Sequence, residues 1–324
     1  MKQQRFEFLL RAETPIAHAQ ENLGNTSIIM TQKVRQPCGR WAKVPIVTGD
    51  TMRHGLREAS TYCLLECADM LQDSLTENAL RLLFAGGMIT GSSGSAVNLD
   101  EFRQLAELIP PLGLLGGCAQ NRIIPGRLQV DPAILVCRET EHLVPEWARE
   151  GAGELDGCRA HIEPVQRVRM DPTLDPAKRL LLIPGERAGA EQRLLNSETA
   201  GESRDAVAAV KSKSTMMPFN YERVAQGSLF FWSVTATLYT PLDEDTLLVM
   251  VGAFLRHCRV GGKRGTGHGH LVPIDARNVS LANFSERMDT LDLVGPDQRK
   301  GELFRRHIAE RKDRIREFLA KVVA

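Results

Sequence analysis

The run Val260-Gly-Gly-Lys-Arg-Gly-Thr-Gly-His-Gly-His270 places five glycines around two adjacent cations. Glycines permit positive φ and leave backbone N–H groups uncovered, so phosphate oxygens can meet amides and side-chain cations together. Gly262, Lys263, Arg264, Thr266 and His268 are the expected contacts. A plain tight turn is the competing reading. The run is neither a Walker A loop nor a dinucleotide fingerprint, because it lacks the Gly-Lys-Ser/Thr ending and the third glycine of the latter. His268 and His270 have metal-like spacing, but two residues on one side of a strand explain them as well, and no metal is expected.

Two further segments carry polar chemistry. Pro45–Arg57 (PIVTGDTMRHGLR) reads as a strand end, a glycine turn and a helix start. Arg53, His54 and Arg57 then fall on the first helical turns, where the helix dipole adds to their attraction for phosphate. A surface helix with ion pairs, for example to Glu58, is the alternative. In Pro110–Leu128, tight turns surround Gln120, Asn121 and Arg122, which can hydrogen-bond a sugar-phosphate backbone or base edges. An ordinary loop serves equally well there. No nucleophile, base and acid stand together, so no catalytic residue and no cofactor is assigned.

Charge is segregated along the chain. The 324 residues hold 41 Lys+Arg against 40 Asp+Glu, a formal charge of +1. Yet Thr31–Arg57 contains six cations, Lys33 and Arg35 among them, and one acid. Arg256–His270 has four cations and no acid, whereas Glu139–Asp156 has six acids and one arginine. Basic patches on a common face would make a track for a polyanion, with the acidic stretch elsewhere. The basic tail reads instead as an amphipathic helix with Ile308, Ile315, Phe318, Leu319 and Val322 inward.

With 43% apolar and 25% charged residues, the chain can bury a core. No apolar run approaches twenty residues, which argues against a membrane helix, and the start has no signal-peptide h-region; a cytoplasmic location is expected. Seven cysteines without a C-x-x-C pair read as reduced thiols, with Cys63 and Cys67 on one helix face.

The elements that must position these residues follow from periodicity. Arg5–Ala12 alternates as a first strand; His18–Thr31 reads as a loop. Helices are expected over Met52–Gln72, Ser74–Phe84, Asp100–Leu108 and Leu242–His257, and strands over Arg127–Val136, Ser228–Tyr239 and His270–Ile274. Leu155–Tyr221 shows no sustained period and reads as a protruding insertion that orders on a partner. The fold class is α+β: helices on one face of an antiparallel, ferredoxin-like sheet.

The order of these pieces resembles the RAMP superfamily of CRISPR ribonucleoproteins, specifically its backbone subunit of the Cas-seven type. Val44-Pro-Ile-Val-Thr-Gly-Asp-Thr-Met-Arg-His-Gly-Leu-Arg57 is similar to that family's P-x-I-P-G-S-S-L-K-G-x-L-R segment. Leu114-Leu-Gly-Gly117 followed by Gly126-Arg-Leu128 resembles its L-F-G…G-x-L segment, and Gly261–Gly269 its late glycine-rich loop. The resemblance runs from about residue 5 to 275.

It implies a modified RRM palm over 1–154 and 222–285, a long β-thumb or web over 155–221, and a basic helical tail over 286–324. Met216, Met217 and Phe219 would wedge into a guide, with Lys211 and Lys213 on its backbone. The implied partners are a CRISPR RNA, complementary target DNA or RNA, further copies in a filament, other effector subunits and, as a candidate, a helicase; no membrane is implied. RNA-cleaving type III subunits carry an aspartate between the first strand and the glycine turn. Here Thr14–Gly49 contains no aspartate, and its only acid is Glu21. That gap favours a non-catalytic, type IV backbone over a type III-like endonuclease using Glu21 or His18. A nucleotide-binding metabolic enzyme is the third reading; it would bind free nucleotide at the glycine run.

Overall fold

A computed structural model of the chain describes residues 1–72, 74–87, 99–119, 122–169, 176–199, 217–280, 285–288 and 301–321. The chain forms two compact units. Unit one comprises Met1–His18, Met30–Ile162 and Arg223–Ala324, and unit two Ala19–Ile29 and Glu163–Glu222.

The N-terminal elements are β1 (Lys2–Ala12), β2 (Ala19–Leu23), β3 (Thr26–Ile29), β4 (Thr31–Arg35) and β5 (Trp41–Val47). Four helices follow, α1 (Gly49–Cys67), α2 (Glu77–Ala85), α3 (Leu99–Leu108) and α4 (Pro110–Leu115). Short strands β6 (Gly117–Ala119), β7 (Arg122–Ile124), β8 (Leu128–Val130) and β9 (Ala133–Leu135) lead to α5 (Glu146–Ala152). Next come β10 (Ile162–Arg169), α6 (Pro176–Arg179), α7 (Pro184–Thr199), β11 (Met217–Val224) and β12 (Leu229–Leu238). The chain ends with α8 (Pro241–Arg256), β13 (Leu271–Ser280), β14 (Ser285–Met288) and α9 (Glu302–Lys321).

The main sheet of unit one runs β14-β13-β1-β12-β9-β5-β4, with β8 also on β12. β1 pairs antiparallel with both β12 and β13. Strand alternation sends Phe8 and Trp232 to one face, where their rings stack at 5.2 Å and Phe254 of α8 meets Trp232 edge-on at 5.5 Å. Leu9 and Phe231, one residue over, point to the other face. There Val136, Val144 and Ala148 cover them, with Trp147 edge-on to Phe231 at 6.1 Å. The expectation of helices on one face is thereby corrected: the Phe-Leu-Leu run in β1 is apolar on both sides, so α5 must close the second. The acidic stretch Glu139–Asp156 lies on this second side.

Caps set the helix starts. The Thr48 hydroxyl accepts from Thr51 N–H to open α1, and Thr240 and Asp243 form a reciprocal capping box behind Pro241 to open α8. α9 turns Phe304, Ile308, Ile315 and Leu319 into a cluster with Leu64 of α1, Leu82 of α2 and Leu105 of α3. The basic tail is thus part of the packing of unit one, as its periodicity indicates.

Unit two holds a sheet of order β10-β11-β3-β2. Its β2–β3 hairpin, turning at Gly24 with φ +58°, replaces the loop expected over His18–Thr31. β10, β11 and α7 give regular structure to an insertion whose residue pattern shows no sustained period. β10 shows no clean apolar alternation, because most of its side chains are exposed or half-exposed. Among the described residues no helix is long and apolar enough to cross a membrane.

Candidate nucleic-acid interface

The glycine run lies in unit one between α8 and β13. Gly262 N–H donates to Ala17 O at 2.6 Å and Gly269 N–H to Pro15 O at 2.9 Å, clipping the loop to the segment after β1. Gly261 has φ +74°, and a Cβ there would lie 2.7 Å from Ala17 O; at Gly269 it would collide with Val260 O. Glycine is required at both by close backbone approach. Lys263 adopts a left-handed conformation, φ 56°, and begins a single 3₁₀ turn over Arg264–Thr266. Gly262, Lys263 and Thr266 are exposed at its tip.

The flanking cations are held differently. Arg264 Nε donates to Gly261 O at 3.2 Å, and its guanidinium lies 3.6 Å from Glu58 of α1. This contact brings the loop against the first half of α1, where His54 is exposed. His268 is 4% exposed, with Nδ1 near Thr266 and Nε2 3.5 Å from the Arg223 guanidinium. The expected surface contact at His268 is therefore corrected: the 3₁₀ turn ends at Gly267 with φ +83°, and this left-handed step turns the next residue, His268, inward. Among the described residues no three His, Cys, Asp or Glu gather as a metal-ligand cluster.

Arg53 and Arg57 also turn inward. Arg53 donates to Leu128 O at 2.9 Å and to Leu115 O, and Arg57 donates to Gly116 O at 2.8 Å. Arg57 is 7% exposed; burial, with the Arg53 charge beside it, pushes its guanidinium down to about 10. Burial likewise lowers Arg53, partly offset by Asp50. The two arginines tie α1 to the Leu115–Leu128 segment through its carbonyls. The expectation that Arg57 faces phosphate is corrected, since a guanidinium buried against Gly116 O has little surface left for an anion.

A backbone bridge leads from the loop to the hairpin of β4 and β5. Met30 N–H donates to His18 O at 2.6 Å and Ile46 N–H to Met30 O at 3.2 Å. The His18 imidazole lies 3.4 Å from the Thr48 hydroxyl, and burial lowers its basicity. Lys33 and Arg35 of that hairpin are exposed, and so are Arg40, Trp41 and Lys43. Arg40 and Lys43 are among the six cations of Thr31–Arg57 but, like Trp41, not among the expected contacts; the alternation of Val34 and Val44 against Lys33, Arg35, Trp41 and Lys43 is the signal that marks Trp41 and Lys43.

The remaining expected contacts are placed less fully. Arg122 begins β7, whereas Gln120 and Asn121 lie outside the described residues. Lys211, Lys213 and Met216 also lie outside them, and Met217 opens β11. Phe219 of β11 is half-buried and stacks on Tyr221, with ring centroids 6.2 Å apart.

No protein-family model matches the chain, and no curated protein matches it. Among solved structures it shares its fold with a chain of a type IV-B CRISPR complex, at a TM-score of 0.54 and 16% identity, over 90% of this chain and 100% of that one. A second match, Csc2 of Thermofilum pendens, has a TM-score of 0.45 and 12% identity over 98% of this chain and 88% of that one.

Proposed function

We propose that the chain is a non-catalytic backbone subunit of a type IV-like CRISPR ribonucleoprotein, lining up with further copies along a guide RNA for pairing with target DNA or RNA. The observation that carries this reading is the meeting of separated segments in unit one: the Gly261–Gly269 loop clips onto Pro15–Ala17 and reaches α1 through Arg264 and Glu58. The glycine loop and the start of α1 are two of the segments whose sequence resembles the RAMP backbone family, and the shared fold with a chain of a type IV-B complex supports the same assignment. Lys263, Thr266 and Gly262 offer one charge, one hydroxyl and open backbone to a phosphate, contacts that bind any sequence alike.

In this reading the sheet of unit one is the RRM-like palm, because β1, α1, β9, β12, α8 and β13 follow one another as β-α-β-β-α-β with β1 between β12 and β13. Unit two corresponds to the thumb, with Met216, Met217 and Phe219 as wedges and Lys211 and Lys213 along the backbone. The absence of aspartate from Thr14–Gly49 supports a role without cleavage.

The test is binding of a labelled single-stranded RNA at two salt concentrations by the wild type and by Lys263→Glu with Arg264→Glu. Affinity that falls steeply with salt, and falls further in the variant for every RNA sequence, is expected. Unaltered affinity in the variant would overturn the assignment. Incubating the assembled complex with complementary RNA tests the non-catalytic part: regularly spaced products would assign an endonuclease instead.

A further inference from the structure

The hairpin of β4 and β5 at the edge of the main sheet has two unlike faces. Val34 and Val44 point inward and are 5% and 0% exposed. Lys33 stands opposite Lys43, and Arg35 opposite Trp41, in the antiparallel register. Residues directly opposite share a face, so the outer face groups three cations around one indole. All four side chains are exposed, Trp41 at 65%. Among the described residues, none of the three cations has an acidic partner within ion-pair distance.

This face is costly to the folded chain, because like charges stand directly across a strand pair and a large ring is left in water. Lysines on a sheet edge guard against strand-to-strand aggregation, which accounts for Lys33 on the terminal strand β4. That explanation does not extend to Trp41, whose exposure works against such protection. β5 meets β9 only through Ile46 and Val47, so the Trp41 end of the hairpin extends past its neighbouring strand.

We infer that this outer face is a stacking platform for single-stranded RNA, with one unstacked base lying on Trp41 and its neighbouring phosphates on Lys33, Arg35 and Lys43. Every base has a π-face, so the platform is tolerant of sequence, and the cations compensate the charge of the strand on either side. The inference rests on the RNA-binding reading above but uses residues apart from the glycine loop. The backbone bridge through His18 and Met30 connects the two segments within unit one.

The test uses the full chain and a short single-stranded RNA. Of the three tryptophans, Trp232 is 0% exposed and Trp147 packs on Phe231, so quenching of indole fluorescence on RNA addition reports Trp41. Trp41→Ala is expected to abolish the quenching and weaken binding about tenfold, the range supplied by one stacked base, while leaving the salt dependence unchanged. Trp41→Phe should restore affinity without the signal. Lys43→Ala should instead lower the slope of log affinity against log salt by about 0.7.

If Trp41→Ala binds as the wild type does, while the Lys263/Arg264 variant is impaired, the platform is overturned and the RNA-binding reading stands. A wild type that binds no RNA overturns both. Equal quenching by polyglutamate would mark a surface for acidic protein and also overturn the inference.

Discussion

Three arginines near the start of the glycine-turn helix and in the glycine loop show how one residue type serves different ends. Arg57 is consumed by Gly116 O and Arg53 by Leu115 and Leu128 O, whereas Arg264 keeps part of its surface beside Lys263. Replacing Arg57 with Met removes a charged hydrogen bond but also a buried Nη1 that has no partner. We expect a loss of about 1–2 kcal/mol in urea unfolding, with RNA affinity of the folded fraction unchanged. The paired reversal at Lys263 and Arg264 should do the opposite: weaker RNA binding with an unfolding midpoint near the wild type, because Lys263 is exposed and the Arg264–Glu58 contact is partly solvated. A measurement of both stability and affinity on each variant separates the structural from the binding cations.

At the scale of elements, the junction between β8 and α8 carries the least replaceable polar contact. Arg127 makes two hydrogen bonds of 2.8 Å to the Asp243 carboxylate and lies over the Tyr239 ring at 4.9 Å. Burial pushes the Asp243 carboxyl up, but the Arg127 hydrogen bonds, with N–H groups of Tyr239 and Thr240, outweigh it and hold the group below its ordinary value. A depressed carboxyl contributes stability above its unfolded value of about 4, and that stability is lost as pH falls through the lower folded value. The urea midpoint of the wild type should therefore be insensitive to this site above about pH 5 and drop in acid. Asp243→Asn should cost about 2–4 kcal/mol at neutral pH, by leaving Arg127 mostly buried without a countercharge, and should flatten the acid dependence. An Asn variant with wild-type stability at pH 7 would show that the pair is dispensable.

At the scale of the whole molecule, the division into two units is a division of pairing. The chain leaves unit one after Ile162 and returns at Arg223, and Ala225 N–H donates to His161 O at 2.8 Å where the two crossings meet. Replacing 163–222 by a short glycine-serine linker should leave the cooperative unfolding of unit one in place, since neither the cluster around α9 nor the one under α5 draws on a described residue of that segment. Loss of the cooperative transition in thermal unfolding would show that unit one depends on the segment. In the proposed function the same variant should retain salt-sensitive RNA affinity through Lys263 and the β4–β5 hairpin, while regular spacing along the RNA is lost.

The strongest periods were legible from the chain alone. Phe6, Phe8 and Leu10 alternate into β1, the Ser228–Tyr239 run gives β12, and the apolar stripes of α1, α8 and α9 bury as spaced, because these patterns are repeated over many residues and meet a core. The position of the glycine loop was legible too, since glycines clustered between a helix and a strand have few other uses. What the sequence could not state was which cations face outward. Arg53, Arg57 and His268 lie in cationic runs yet satisfy interior carbonyls or pack inside, and Trp41 looks like a core residue yet stands in solvent. Charge and hydropathy belong to a residue, but exposure depends on the register of β4 with β5 and on the carbonyls that the Leu115–Leu128 segment presents to α1. Only the tertiary fold brings those partners together.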